Sequence, residues 1–294
     1  MPQPERQPIR VVTDSGCSKL PDDQTVKNLN VKVLPLHITF PGGKDIPSDS
    51  ISADEFYGRL SVSSIPSTSA VNVGEFEQTY EKLVDEGATT IYSIHLPEKT
   101  SSTLPNARIA ADTVMGRKDV KIYPVDTFTM SAAQWFVAEK TAQMAKGGAS
   151  RQEIQTAIDF TVPRVELFAV FENLDYFKKG GRANQVKGFL LSLLKIQPIL
   201  GFEDDGTIAM LEKERTLSKA RERMFQMVLE RGELTQAAII HTNAPGLARE
   251  AELNLKTHFA GAIGIFEIGP TLAVHGGPNV IGYCLESKNL PPKK

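Results

Sequence analysis

The 294-residue sequence predicts a two-domain α/β protein: a Rossmann-like domain with a mainly parallel sheet, followed by an α+β domain. Two observations lead to this prediction. In the first half, short β-branched segments alternate with segments of helical period, as in βαβ units. In the second half this alternation stops, and a hairpin pattern precedes long helices and further strands. The change falls near Thr161-Val162-Pro163, so we expect domains at residues 1–162 and 163–294.

The first half contains four strand patterns and four helix patterns. The predicted strands are 9–14, 31–40, 89–96 and 120–125. Pro35 interrupts the second strand and predicts a break or an edge position. The predicted helices are 52–60, 75–85, 104–115 and 131–144. The spacing from Ser52 to Glu55 is that of a capping box and marks the start of the first helix.

The second half contains six strand patterns and three helix patterns. The predicted strands are 167–171, 199–202, 207–211, 237–241, 263–268 and 281–285. The second and third of these form a hairpin with a turn at 204–206. The predicted helices are 186–195, 217–231 and 247–259, and Pro198 closes the first of them.

Composition favours a soluble globular protein and argues against several other classes. Apolar residues make up 41% of the chain and charged residues 23%. The net charge of −2 argues against binding to nucleic acid or anionic lipid through charge. The longest strongly apolar stretch, 189–194, is far shorter than the roughly 18 residues of a membrane span. The proline-containing start lacks the apolar run of a secretory signal, so we expect a cytoplasmic protein.

The two cysteines, Cys17 and Cys284, lie at opposite ends of the chain. They form no C-x-x-C pair and no disulfide framework. We expect two buried or free thiols in a reducing compartment, and a single long-range disulfide is the alternative.

Motifs for catalysis are largely missing. The sequence has no G-x-G-x-x-G after the first strand, no P-loop and no H-E-x-x-H, and its five histidines are scattered, so we expect no metal and no cofactor. Ser192 and Lys195 fit S-x-x-K, but they lie in an apolar helix pattern where core packing is the better account. His275-Gly276-Gly277 is similar to a lipase oxyanion loop, yet no G-x-S-x-G elbow accompanies it. A phosphotransferase or esterase that uses Asp14, Ser101 or His275 stays the alternative hypothesis.

Hydroxyl side chains cluster where predicted strands end or predicted helices begin. The clusters are 13–15, 66–69, 100–103 and 126–127. In open α/β sheets, ligands bind outside the carboxyl ends of the strands. N–H groups at a helix start, with hydroxyls beside them, favour an anionic head group. Ser, Thr and Asp are also the ordinary residues of helix caps, so both interpretations stay open.

The order of these motifs resembles the DegV family of bacterial fatty-acid-binding proteins over residues 9–285. The similar segments are V-V-T-D-S at 11–15, P-S-T-S at 66–69, S-I-H-L at 93–96, T-S-S-T at 100–103, V-D-T at 125–127, K-G-G-R at 179–182, S-L-L-K-I-Q-P-I at 192–199 and G-P-T-L-A-V-H-G-G-P-N-V-I-G at 269–282. Each segment alone is a weak indication, whereas their order and spacing together are specific.

The sequence departs from the family pattern at five positions. Pro97 and Glu98 replace a pair of serines, and Ser102 replaces a glycine near the expected head group. Gly276 stands where threonine is usual and Asn279 where glycine is usual.

The resemblance implies a carrier that encloses a long-chain, palmitate-like fatty acid between its two domains and performs no catalysis itself. By position, Thr68 and Ser101 are implied to hold the carboxylate, and Arg182 and His275 to lie near it or to face a partner. The implied partner is a fatty-acid kinase, whose acyl-phosphate product feeds phospholipid synthesis. Contact with a membrane is implied to be transient, and contact with nucleic acid is not expected. Residues 189–194 are a candidate tunnel wall, with ordinary core packing as the alternative.

Overall fold

The computed structural model of the chain describes residues 8–18, 23–186 and 196–289. Its strands are β1 (Ile9–Asp14), β2 (Val31–Leu34), β3 (His37–Thr39), β4 (Asp45–Pro47), β5 (Ser67–Ser69), β6 (Thr90–His95), β7 (Lys121–Asp126), β8 (Val165–Val170), β9 (Gln197–Phe202), β10 (Ile208–Glu214), β11 (Leu234–His241), β12 (Ile263–Glu267) and β13 (Ile281–Ser287). Its α-helices are α1 (Asp23–Leu29), α2 (Ala53–Arg59), α3 (Val73–Asp85), α4 (Thr103–Met115), α5 (Ala132–Lys146), α6 (Arg151–Thr161), α7 (Leu174–Lys179), α8 (Leu217–Leu229), α9 (Pro245–Lys256) and α10 (Pro270–Gly276). Most of the helix predicted at 186–195, including 189–194 and the Ser192-x-x-Lys195 motif, lies outside the described residues.

The N-terminal domain is built on a four-stranded, fully parallel sheet in the order β2-β1-β6-β7. The chain leaves β1 toward β2 on one side and later continues through β6 to β7 on the other. The strand order therefore reverses between β1 and β6, and a crevice opens outside the carboxyl ends of these strands. This sheet confirms the predicted Rossmann-like first domain.

The C-terminal domain contains a six-stranded mixed sheet in the order β10-β9-β8-β13-β11-β12. Neighbouring strands are antiparallel except β11 and β12, which are parallel. The predicted hairpin is confirmed as β9–β10, with Gly206 at φ +79° in its turn. The strands of the two large sheets fall on either side of residue 162, but the domain boundary itself stays a prediction.

A small antiparallel sheet in the order β4-β3-β5 was not predicted. The segment predicted as one strand, 31–40, is broken at Pro35-Leu36. Its first part joins the parallel sheet as β2, and its second part enters the small sheet as β3. Pro35 has no N–H to donate to a ladder, which agrees with the predicted break.

Helix α5 lies between the two large sheets. It contacts β1 and β6 of the parallel sheet and β8, β11 and β13 of the mixed sheet. Residues on all its sides, such as Ala133, Gln134 and Trp135, are buried, as expected for a helix enclosed by protein. Helices α3 and α4 cover the other face of the parallel sheet, and α8 and α9 cover the other face of the mixed sheet.

One hydrophobic core runs through this arrangement from the first domain into the second. Cys17 and Cys284 both belong to it, and both are free and buried. The predicted pair of buried thiols is therefore confirmed. No helix in the described part of the chain is long and apolar enough to cross a bilayer.

Candidate functional site

A narrow cavity lies between the carboxyl ends of the parallel strands and one face of the mixed sheet. Its volume is about 130 Å³. The wall is mainly apolar; from the first domain come Leu36, Leu96 and Met130, and from the mixed sheet Leu167, Ala169 and Ile240. The position is the one expected for ligands of open α/β sheets.

All four residues singled out in the sequence, Thr68, Ser101, Arg182 and His275, line this cavity. They come from β5, from the loop before α4, from the turn after α7 and from α10. The fold thus gathers side chains up to 207 residues apart in sequence. Their predicted role in holding a carboxylate stays a prediction.

Thr68 and His275 are in direct contact across the cavity. The Thr68 hydroxyl lies 3.0 Å from Nε2 of His275, and the backbone of Gly180 lies against Nδ1 of the same ring. Burial and then the nearby charge of Arg182 lower the pKa of His275 to about 4, although Gly180 opposes this. The imidazole is therefore neutral near pH 7, and it orients the Thr68 hydroxyl by a hydrogen bond without adding charge.

Ser101 combines a capping role with a place in the cavity wall. Its Oγ accepts a 3.2 Å hydrogen bond from the Thr103 N–H, in the first turn of α4, and lies 2.9 Å from the Thr103 hydroxyl. The hydroxyl cluster at 100–103 therefore both caps a helix and lines the cavity. The dipole at the start of α4 also favours negative charge on this side of the cavity.

Arg182 is a half-buried cation beside the other three residues. Desolvation lowers its pKa from the usual value, which still leaves it charged. No carboxylate among the described residues forms an ion pair with it. The cavity thus contains a positive charge that an anionic group can compensate.

The five departures from the family pattern lie in the loop before α4 and in or just after α10. The Pro97 carbonyl accepts a 2.9 Å hydrogen bond from the Thr100 hydroxyl, and Glu98 pairs with Arg108 on the outside of α4. Ser102 stands at the N-cap of α4 without a side-chain cap bond. The remaining two positions are Gly276, which lines the cavity, and Asn279, whose φ of +61° is one that asparagine tolerates better than most residues.

Two of the four predicted hydroxyl clusters do not reach the cavity. The Thr13 hydroxyl donates to the Ile94 carbonyl oxygen, and that of Thr127 bonds to backbone carbonyls. Between them, Asp14 is fully buried and receives hydrogen bonds from the Gly16 N–H at 2.8 Å and from Nδ1 of His95 at 2.7 Å. These polar groups hold the strand ends together. The Asp14 carboxylate is not exposed, which argues against the alternative in which Asp14 is a nucleophile.

Sequence reasoning missed Thr271 as a cavity residue. Its side chain is 6% exposed, and its hydroxyl has no hydrogen-bond partner in the described structure. Thr271 lies one helical turn before His275 on α10, so the i, i+4 spacing was the available signal. That signal has meaning only once α10 is known to be a helix. Among the described residues, no group of three or more His, Cys, Asp or Glu side chains could hold a metal ion.

Comparison with known proteins shows the family of this chain. Residues 8–288 match the family model described as "Uncharacterised protein, DegV family". A DegV domain-containing protein of Halalkalibacterium halodurans is 32% identical over 279 residues, which cover 93% of this chain and 96% of that protein. The structure of DegV, a fatty acid binding protein from Bacillus subtilis, is similar with a TM-score of 0.85 and 27% identity, covering 96% of this chain and 100% of that one.

A more distant structure shares the fold. The stearic acid-binding protein from Eubacterium ventriosum is 21% identical, with a TM-score of 0.85 over 95% of this chain and 98% of that one. The family resemblance found in the sequence and the predicted fold class are thereby confirmed.

Proposed function

Because the chain belongs to the DegV family, we propose that it binds a long-chain, palmitate-like fatty acid in the cavity between its two domains. The observation that carries the proposal is the composition of that cavity. Its wall is mainly apolar, and Thr68, Ser101, Arg182 and His275 bring hydroxyls, a cation and a neutral imidazole together in it. An apolar pocket with a few converging polar groups suits an amphipathic ligand with one anionic end.

In this proposal the carboxylate is held by the hydroxyls of Thr68 and Ser101. Each hydrogen bond to a charged group contributes about 1.5–3 kcal/mol. Arg182 supplies the opposite charge, and His275 fixes the orientation of the Thr68 hydroxyl. A neutral hydroxyl pair avoids the desolvation of a second buried cation.

The acyl tail provides most of the affinity. Burial of ~14 methylenes at about 0.8 kcal/mol each amounts to roughly 11 kcal/mol, from which several kcal/mol are subtracted for association and for ordering of the chain. The head-group bonds therefore decide orientation more than strength. The carboxyl end lies beside Arg182, and the tail lies along the apolar wall.

We further propose that the loaded protein presents its acid to a fatty-acid kinase in the cytoplasm. The kinase converts the carboxylate to an acyl phosphate for phospholipid synthesis, and this chain performs no catalysis itself. Contact with the membrane is transient, and nucleic acid is not a partner. Arg182 faces the carboxylate, where it can also hold an oxygen of the incoming phosphoryl group.

Native mass spectrometry of protein purified from a bacterial host tests the binding proposal. We expect a bound acid of a few hundred daltons that appears in the organic extract after denaturation. An empty extract, together with no binding of added palmitate, would refute the proposal. Hydrolysis of an acyl or phosphoryl ester by this chain alone, abolished by His275→Ala, would favour the enzyme alternative.

Substitution of the two hydroxyl residues tests the site. We expect Thr68→Val combined with Ser101→Ala to weaken binding of dodecanoate by roughly 100-fold, if each lost bond contributes about 1.5 kcal/mol. Thr113→Val is the matched control, because its hydroxyl bonds to the Ile109 carbonyl oxygen on the outer side of α4. Unchanged affinity in the double variant would assign the carboxylate to other donors.

A further inference from the structure

The small sheet forms one wall of the cavity and bridges the two domains. Its strand β5 carries Thr68, which pairs with Ile38 of β3, and Ser69, which pairs with His37. Both Thr68 and Ser69 line the cavity. The sheet contacts α10 through β3 and β5, and the Thr68–His275 hydrogen bond joins it to the second domain. The position of Thr68 therefore depends on what holds the small sheet.

His37 on β3 contacts two carboxylates, one within the small sheet and one on helix α3 of the first domain. Its Nδ1 lies 2.7 Å from Oδ2 of Asp45 on β4, and its Nε2 lies 2.9 Å from Oε1 of Glu75 on α3. The His37 side chain is 14% exposed. Both ring nitrogens thus face carboxylate oxygens at hydrogen-bond distance, and the ring is mostly buried, whereas the side chains of Asp45 and Glu75 are 48% and 29% exposed.

The other oxygens of these two carboxylates also have donors. Oδ1 of Asp45 accepts from the hydroxyls of Thr39 at 2.8 Å and Ser69 at 3.2 Å. Oε2 of Glu75 accepts a 2.8 Å bond from the Asn72 N–H at the start of α3. Because Ser69 is the neighbour of Thr68 in β5, the network reaches the residue next to the proposed carboxylate site.

Two hydrogen bonds from one imidazole to two carboxylates require two ring protons. Only the imidazolium carries both, because a neutral histidine has one N–H and one acceptor nitrogen. Loss of a proton leaves a lone pair of the ring facing a carboxylate oxygen, which replaces an attractive contact with a repulsive one. The observed geometry is therefore that of the charged form.

We infer that His37 is a positioning residue for the carboxylate site, because its doubly protonated ring ties β3 and β4 to α3 and so holds Thr68 against the cavity. This inference rests on the proposed function. Removal of one proton loosens the strand pair and weakens ligand binding.

The charges around His37 agree with this role. Burial disfavours the imidazolium, but hydrogen bonds and charge from Asp45 and Glu75 outweigh burial and raise the pKa of His37 above its usual value. The stabilisation is complete below the unfolded pKa near 6.5 and is lost as the pH rises through the higher folded pKa. Across the cavity, His275 on α10 has a pKa of about 4, and Arg182 keeps its charge. Of these groups, His37 is the one whose pKa is raised above the ordinary histidine value, so its charge is the first to be lost as the pH rises beyond that value.

Calorimetric titration with dodecanoate below its micellar concentration, between pH 6.5 and 9, tests the inference. Binding at pH 6.5 tests the proposed function, and the change in affinity with pH tests His37. We expect affinity to fall with rising pH by up to about tenfold, if binding of the acid raises the pKa of His37 by one unit. No binding at any pH would refute the proposed function, whereas binding with a flat or rising profile would refute only the role of His37.

Glu75→Gln separates a positioning role from a general structural one. The introduced side-chain amide can donate an N–H to the neutral ring at Nε2, while its oxygen still accepts from Asn72, so the link no longer needs a second ring proton. We expect this variant to keep high affinity at pH 9 and to lose the pH dependence. Glu77→Gln is the matched control, because Glu77 lies on the same helix and pairs with Arg117.

Replacement of the ring gives the opposite result. His37→Gln is neutral at every pH, and we expect weak, pH-independent binding that resembles the wild type at pH 9. If Glu75→Gln retained the full pH dependence, or if His37→Gln bound as tightly as the wild type at pH 6.5, the inference would be wrong. The inference would also be wrong if either variant lost thermal stability while its affinity for dodecanoate kept the pH dependence of the wild type.

Discussion

Replacement of Arg182 by methionine should weaken ligand binding without lowering the stability of the ligand-free protein. Arg182 lines the cavity, is half-buried, and has no ion-pair partner among the described carboxylates. Methionine keeps much of the length and apolar surface of arginine and removes the charge. In the complex, the substitution removes the cation that compensates the charge of the ligand carboxylate. In the ligand-free protein, it removes a half-buried cation that has no ion-pair partner among the described residues.

The magnitudes follow from these surroundings. Loss of one charged hydrogen bond of about 1.5–3 kcal/mol weakens binding of the acid roughly 10- to 150-fold. The desolvation of a fully buried ion costs several kcal/mol, and half exposure reduces the cost at Arg182 to about 1 kcal/mol or less. We therefore expect the free energy of unfolding of the ligand-free protein to stay equal or rise by up to about 1 kcal/mol.

Two measurements check this expectation on delipidated protein: urea denaturation and calorimetric titration with dodecanoate. Lys179→Met is the control, because Lys179 is an exposed cation of the neighbouring helix α7 that bonds to the Val62 carbonyl oxygen. Equal affinity of the Arg182→Met variant and the wild type would refute the assignment of Arg182 to the carboxylate. Loss of acyl-phosphate formation with unchanged affinity would instead assign Arg182 to the kinase.

Two further predictions concern the packing of the chain. Gly282→Ala places a Cβ in collision with the Phe168 carbonyl oxygen, so we expect urea denaturation to show a free energy of unfolding lower by about 2 kcal/mol or more. Gly58 in α2 has open space around it, so Gly58→Ala should raise the free energy of unfolding by about 0.5–1 kcal/mol. Burial raises the pKa of both Cys17 and Cys284, the latter to about 12. Both thiols should therefore react with an aromatic disulfide reagent only after the protein unfolds. Fast reaction of the native protein would contradict this prediction.

Most long elements with a clear period were predictable and the shortest ones were not, but α6, an amphipathic helix of eleven residues with a capping box, was also missed. The β-branched run of β1 and the helical period of α3 and α4 identified those elements, because each buries one face or both in a large core. Strands β4 and β5 have three residues each, which is too short for a period to appear. Helix α10 has seven residues and begins with Pro270, and its glycine-rich surroundings obscured it.

The candidate site was found through motif order rather than through local chemistry. Thr68 and Ser101 stand in hydroxyl clusters that look alike in sequence to the clusters at 13–15 and 126–127. The difference is tertiary: the latter bond to strand-end backbone, and the former face the space between the domains. The role inferred for His37 depends on Glu75, which lies 38 residues away, so no local pattern could indicate it.

The position of α5 between the two sheets has a consequence for how the chain is assembled. Its first-domain face is complete once β1 and β6 have formed, but its other face has no cover until the mixed sheet, which begins at Val165, has been made. During synthesis, one apolar face of α5 therefore stays exposed until the mixed sheet has formed and covers it. The two large sheets therefore share the apolar core around α5, in addition to the core that each builds on its outer face.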